Sequence, residues 1–198
     1  MSSPKYQIIY ADPPWEYRNM GNIEGAATQH YCTMSQKEIE SLPIKKIAAE
    51  NCILFLWATF PKLQEALNTI KAWGFEYKTV GFVWVKKNKN GTPFFGIGWY
   101  TKSNAEICLI GTKGKPPKKS NKISSIIETT ISDHSRKPHI VRKKIVELCG
   151  DVPRIELFAR GDKERDLFGD NVFDGWDVWG NEVDSDIELG EMNEQHRS

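Results

Sequence analysis

The amino-acid sequence predicts an α/β protein built on a doubly wound, mostly parallel sheet. Three observations point there. A short, nearly unbroken apolar run at Tyr6–Ala11 reads as a strand buried on both faces, Cys52–Trp57 is another continuous apolar strand, and Ala105–Gly111 and Arg154–Phe158 read as further strands. Segments with helical apolar spacing and recognisable start and stop signals lie between them. Strand, helix and strand recur at the spacing of βαβ units, whose repetition builds a parallel sheet.

Composition bounds the answer. A chain of 198 residues, 39% hydrophobic and 11% aromatic, suits one domain with a sizeable core and excludes disordered or collagen-like classes. No apolar stretch approaches a membrane span and residues 1–5 lack a signal-peptide core, so a soluble, cytoplasmic protein without membrane contact is expected. Cys32, Cys52, Cys108 and Cys149 form no C-x-x-C pair and the four histidines show no ligand spacing. Free thiols and no metal are therefore expected. Net charge is +1, yet residues 182–198 hold six acids and one arginine, leaving residues 1–181 at +6. Such a body suits a polyanionic partner, nucleic acid first. A folded domain over 1–182 and an acidic, disordered tail over 183–198 are the expected division.

The first strand must stop at Asp12-Pro13-Pro14-Trp15, because two consecutive prolines cannot continue a ladder. The acid then lands at a strand's carboxyl end, the edge where open α/β sheets bind ligands. One chemistry wants this tetrapeptide. The exocyclic amine of an aromatic base is a poor nucleophile because its lone pair is delocalised into the ring. Two acceptors that take both N–H bonds localise that pair; a carboxylate supplies one and a prolyl carbonyl the other. Trp offers a face for stacking, at about 1–3 kcal/mol per base. A Pro-Pro turn with a capping Asp and a core Trp would spell the same four letters.

Residues 16–34 carry glycines and no sustained period, as functional lids and disordered loops do. Ser35-Gln36-Lys37-Glu38 reads as a capping box opening a short helix that Pro43 interrupts. After strand Cys52–Trp57, Pro61 starts a helix with Leu63, Leu67 and Ile70 on one face and Gly74 at its end. Glu76–Lys86 is a further strand, followed by the polar turn 88–91 and the glycine-punctuated Phe94–Trp99. Trp57, Trp84 and Trp99 are candidates for base stacking or for core. Glu106 opens the next strand as a polar support for the site. Residues 113–122 carry five lysines and no apolar side chain, a solvated loop able to touch phosphates. Pro138 opens the last helix, with Val141, Ile145 and Leu148 buried, Arg142, Lys143 and Lys144 on the wet face, and Gly150 at the end. Arg136 and Lys137, at its entrance, are placed to meet an anion.

These residues carry a resemblance. Tyr10-Ala11-Asp12-Pro13-Pro14-Trp15 resembles the catalytic motif of amino-methyltransferases acting on adenine N6, in the family named after the catalytic subunit of the mRNA adenosine methyltransferase, in its short bacterial and phage form. His30–Ser35, Leu54–Thr59, Phe82–Lys86, His134–Pro138, Ile155–Arg160 and Trp179–Glu182 follow in the family's order, covering residues 6–182. The resemblance implies a Rossmann-like sheet of the permuted class of S-adenosylmethionine-dependent methyltransferases, with the acid motif first and the cofactor strand last. It implies that Asp12, Pro13, Pro14 and Trp15 carry the chemistry. Asp12, Glu156, Phe158, Arg160, Asn181 and Glu182 would meet S-adenosylmethionine, and Trp15, Tyr31, Lys86, Arg136 and Lys137 the substrate. Tyr31 would either position the base or pack beneath its loop, and Asn181 would serve equally as a turn residue after Gly180.

Two departures limit the transfer of roles. Residues 161–175 form a longer, more acidic insertion than in many relatives, and only eleven residues precede Asp12, so the cofactor's adenine is expected to be held by other groups or less completely. The expected activity is methylation of adenine in DNA. RNA methylation, cytosine-N4 transfer and a non-catalytic nucleic-acid-binding subunit are its rivals, and the short chain hints at a homodimer.

Overall fold

The computed structural model describes residues 4–17, 33–98, 100–131, 136–160 and 173–189. Among these residues seven strands form one sheet: β1 (Tyr6–Ala11), β2 (Ala48–Ala58), β3 (Glu76–Lys87), β4 (Ala105–Lys113), β5 (Ile126–Thr130), β6 (Arg154–Leu157) and β7 (Asp177–Trp179), in the order β5-β3-β4-β2-β1-β6-β7. All neighbours run parallel except β4, which is antiparallel to both β2 and β3. The reversal has a local cause. Among the described residues between 88 and 104 there is no helix, so β3 returns directly into β4, whereas parallel neighbours need a crossover.

Among the described residues four α-helices cover the sheet: α1 (Gln36–Ser41), α2 (Ile44–Ile47), α3 (Leu63–Ala72) and α4 (Ile140–Cys149). They fall on opposite faces because strand side chains alternate. Ile9, Ala11, Leu54 and Leu56 pack with Ile39 of α1, Ile44 of α2 and Ala66 and Ile70 of α3. Ile8, Tyr10, Ile53, Phe55 and Trp57 pack with Val141, Ile145 and Cys149 of α4. Each such fully buried aliphatic or aromatic side chain contributes about 1.5–3 kcal/mol of transfer free energy. Helices on both faces of a mostly parallel sheet make the fold doubly wound, as the sequence predicts.

The capping box forms in full: Glu38 N–H donates to Ser35 Oγ at 3.4 Å and Ser35 N–H to Glu38 Oε2 at 2.7 Å. Ser35→Ala is expected to lower stability by about 1 kcal/mol, read as a small drop in melting temperature with no change in cofactor affinity. The face of α3 follows the sequence reading at Ile70, which is buried, and at Leu67, which packs against the core, and departs from it at Leu63. Phe60–Lys62 form a 3-10 turn before the helix, and the buried set is Ala66, Thr69 and Ile70 with Trp73 beyond the end, while Leu63 is 39% exposed. Arg142 is also corrected. It leaves the wet face of α4 to pair with Glu156 on β6.

Residues 183–189, assigned to the tail from the sequence, continue along the body. Asp186 N–H donates to Val178 O at 2.9 Å, Val178 N–H returns to Asp186 Oδ2 at 2.9 Å, and Leu189 is buried. Cys52, Cys108 and Cys149 are free and buried; Cys32 lies outside the described residues. None of the described helices is long and apolar enough to cross a membrane.

Candidate active site

The carboxyl ends of the six parallel strands, together with the start of β4, define one edge of the sheet. Chain direction splits there. The crossover from β1 to β2 carries α1 and α2 on one face, and the return through α4 to β6 runs on the other, so β1 marks the topological switch point. Ligands of open α/β sheets bind in the crevice outside such a point. Asp12 is the first residue beyond β1 and lies in that crevice, its N–H reaching toward Leu157 O at 3.5 Å.

Four charged side chains meet at this edge in alternating order. Lys137 Nζ lies 2.8 Å from Asp12 Oδ2 and 3.1 Å from Glu106 Oε2, and Lys86 Nζ lies 2.5 Å from Glu106 Oε1. Lys137, Glu106 and Lys86 are 11%, 9% and 15% exposed, and Asp12 is the most open at 24%. The lysines also lie over aromatic rings, Lys137 over Trp57 at 5.6 Å and Lys86 over Trp84 at 4.9 Å. Burial pushes the Glu106 carboxyl up, but the ammonium groups of Lys137 and Lys86 outweigh it and hold the group below its ordinary 4.5. Burial likewise lowers Lys137, and the carboxylates of Asp12 and Glu106 outweigh it, holding the amine protonated well above its ordinary 10.5. Lys137 is therefore a fixed cation and no base.

The consequence for Asp12 is geometric. Lys137 takes Oδ2, and among the described residues Oδ1 accepts no hydrogen bond, so the carboxylate is held in one orientation with an acceptor to spare. The turn after it is equally constrained. Pro13 O accepts Trp15 N–H at 2.9 Å and Pro14 O accepts Met34 N–H at 2.9 Å, so each prolyl carbonyl keeps one lone pair. Trp15 Nε1–H donates to Trp57 O at 3.1 Å, and Trp57 Nε1–H donates to Tyr10 OH at 2.7 Å. The Trp15 ring is thereby tied to β2 and is only 7% exposed, which offers less open face for stacking than the sequence suggests. Beside it opens a cavity of about 370 Å³, lined by Trp15, Glu16, Met34, Ser35, Gln36, Lys37, Lys62 and Glu65.

Beyond β6 the chain turns sharply. Phe158 takes φ 60°, the one non-glycine residue with positive φ among those described, and its ring packs edge-on against Trp179 at 5.4 Å. Ala159 N–H donates to Trp179 O at 3.0 Å. A Cβ on Gly180 would come within 2.3 Å of Ala159 O, so only glycine permits this approach, which pairs Arg160 with Glu182 in a short parallel bridge. Arg160, Asn181 and Glu182 thus gather at the ends of β6 and β7, neighbours of β1 in the sheet.

Several sequence-predicted residues have other partners. The Glu156 carboxylate is engaged bidentately by Arg142, Nη2 to Oε1 at 2.7 Å and Nε to Oε2. Burial raises that carboxyl and Arg142 opposes it; Arg142, lowered by its own burial, is held above its ordinary value by Glu156. Phe158 points its ring at Trp179, Lys86 is taken up by Glu106, and Arg136 is exposed. Tyr31 lies outside the described residues, as does Trp99. Trp57 and Trp84 are core at 0% and 1% exposure. The lysine-rich segment is misplaced by the sequence reading. It leaves β4 at the far edge, where Lys113 pairs with Cys52, Lys115 N–H donates to Asn51 Oδ1 at 2.7 Å and Lys119 N–H to Leu148 O at 2.7 Å, so it lies across the sheet from Asp12.

Comparison with known proteins decides the family. The pattern of the MT-A70 family matches residues 6–182. This chain belongs to the MT-A70 family. It is 35% identical over 213 residues to the Type II methyltransferase M.MunI of a Mycoplasma species, covering 96% of this chain and 84% of that protein. It is 27% identical to the human N(6)-adenine-specific methyltransferase METTL4, covering 90% of this chain and 37% of that protein. It is 24% identical to the N(6)-adenosine-methyltransferase MT-A70-like protein of Arabidopsis thaliana, covering 90% of this chain and 24% of that protein. As an MT-A70 chain it is an adenine-N6 methyltransferase. S-adenosylmethionine is the methyl donor that MT-A70 methyltransferases use as a class. Among the described residues no group of three or more His, Cys, Asp or Glu is placed to hold a metal ion.

Proposed function

We propose that this MT-A70 protein methylates the exocyclic amine of adenine in DNA, with Asp12 and the carbonyl of Pro13 as the two acceptors. The observation that carries the assignment is the orientation of Asp12: Lys137 takes Oδ2 and leaves Oδ1 for a substrate N–H. The free lone pair of Pro13 O takes the other. Gripped by two acceptors, the amine loses delocalisation into the ring and becomes nucleophilic. Trp15, tied to Trp57 O, holds the turn that presents Pro13. Lys137 keeps its proton, so it positions Asp12 and removes nothing from the amine.

Asp12, Arg160, Asn181 and Glu182 fit S-adenosylmethionine in kind: carboxylate, guanidinium and amide groups gathered at the switch-point crevice match an amino group, a carboxylate and ribose hydroxyls. The cofactor, when bound there, supplies an electrophilic methyl group on a sulfonium. We place the methyltransferase domain at residues 1–182, with residues 183–189 packed against it, and the working protein in the cytoplasm.

DNA is favoured over RNA because M.MunI, of which this chain spans 84%, is a Type II methyltransferase, whereas the chain spans about a quarter of the Arabidopsis relative. Labelled methyl transfer by the purified protein to duplex DNA, single-stranded DNA and RNA oligonucleotides tests the reading. Preferential labelling of adenine in DNA is expected. Labelling of RNA alone would move the assignment to RNA, and none with any substrate, despite a correct fold, would leave a non-catalytic subunit. Light scattering on the same sample reports whether it is a homodimer.

A further inference from the structure

Residues 88–104, between β3 and β4, rise from the catalytic edge between Lys86 and Glu106, two members of the ion chain that reaches Asp12. Residues 88–98 and 100–104 form the two arms of a hairpin. Phe94 N–H donates to Lys86 O at 3.0 Å, and Gly96 and Ser103 exchange hydrogen bonds of 2.7 and 3.3 Å. A Cβ on Gly96 would come within 2.7 Å of Ser103 O, and one on Gly98 within 2.0 Å of Thr101 O, so the backbone is drawn tight where only glycine fits. Asn88 closes the base through Thr92 Oγ1 and Pro93 O, both at 3.0 Å.

This ordered element presents its large side chains to water. Phe95 is 62% exposed, Ile97 63% and Tyr100 fully so. The exposed part of these side chains packs against nothing in the described chain, while backbone bonds tie the hairpin arms. Its charge is one-sided: Lys89 and Lys102, with no acid between residues 88 and 104.

We propose that this hairpin binds the nucleic acid flanking the target adenine, stacking neighbouring bases on Phe95 and Tyr100 with Lys89 and Lys102 against the phosphates. The inference rests on the reading of the site as a nucleic-acid methyltransferase and adds where the substrate strand lies. Exposed aromatics interleaved with lysines suit a polyanion with flat bases. A second copy suits them less, because a two-fold contact between hairpins would oppose like charges. The element also supplies, on the catalytic edge, the cationic and aromatic surface that the lysine-rich far-edge segment and the buried Trp57 and Trp84 do not.

The test compares the full chain with Phe95→Ala/Tyr100→Ala, using fluorescein-labelled, adenine-containing DNA in anisotropy titrations. S-adenosylmethionine affinity is measured by calorimetry and mass by light scattering. At about fivefold or more per stacked base, the dissociation constant is expected to rise at least roughly twentyfold, with cofactor affinity and mass unchanged. Phe95→Tyr/Tyr100→Phe, which keeps both rings, is expected to bind like wild type. Lys89→Ala/Lys102→Ala is expected to reduce the salt slope of binding by about two. An unchanged dissociation constant overturns the proposal; if mass falls at the same time, the hairpin is a self-association face. If the wild type methylates nucleic acid while the variant binds it equally well, only the hairpin assignment falls. If the wild type binds no nucleic acid, the reading of the site falls with it.

Discussion

Asp12→Ala is expected to lower methyl transfer by at least about a thousandfold while leaving the protein folded. On the proposed assignment the loss follows from removing one of two acceptors that make an aromatic amine nucleophilic, since Pro13 O alone would grip one N–H and leave the lone pair in the ring. The fold survives because Asp12 is the most open member of its ion chain and Lys137 keeps Glu106 at 3.1 Å when Asp12 is gone. Circular dichroism and DNA affinity should therefore hold while turnover collapses. Asp12→Asn sharpens the test. Lys137 only donates, so the new amide must turn its oxygen toward Nζ and its NH₂ toward the substrate, where donor faces donor. The isosteric variant is expected to be as inactive as the alanine. Substantial activity in Asp12→Asn, with the fold intact, would show that Oδ1 does not hold the amine.

How much of this was legible in the sequence depends on the range of each interaction. Asp12 at a strand end was readable because an apolar run and two prolines are local facts, and so was the capping box at Ser35–Glu38. The α3 stripe is legible at Leu67 and Ile70 but not at Leu63, which follows the 3-10 turn at Phe60–Lys62 and stays exposed, nor at small Ala66 and polar Thr69, which carry no apolar signal although both are fully buried. The lysine-rich segment was misplaced because a continuous apolar run such as β4 reads the same in either direction. The missing helical period between residues 87 and 105 was the available clue to the reversal. The ion chain had no local signature at all. Its members are residues 12, 137, 106 and 86, which only the sheet order and the docking of the segment leading into α4 bring together; the pairing of Arg142 on α4 with Glu156 is long-range in the same way.

Glu106 carries the largest expected stability effect. It lies between two cations, and a buried pair broken on one side typically costs 3–5 kcal/mol because the remaining charge is uncompensated. Glu106→Leu strands the ammonium of Lys86 and leaves Lys137 with Asp12 alone, so a melting temperature lower by about 10 °C is expected for a chain of this size. Glu106→Gln keeps the shape and one acceptor and should fall between. Activity gives a second readout, because Lys137 loses one of the two oxygens that fix its position and with it the orientation of Asp12. The turnover number should drop further than the affinity for S-adenosylmethionine. The pH dependence has a definite sign. The carboxyl of Glu106 is depressed in the folded state, so its stabilisation is complete above its ordinary value of 4.5 and is lost as pH falls through the lower folded value. Lys137 is raised, so its contribution is complete below its ordinary 10.5 and is lost only as pH rises past that value. Between those limits wild-type stability should owe no pH dependence to this network, and the acid-side loss should be smaller in Glu106→Gln. An identical acid limb in wild type and Glu106→Gln would show that the Lys86–Glu106–Lys137 contacts contribute nothing to folding.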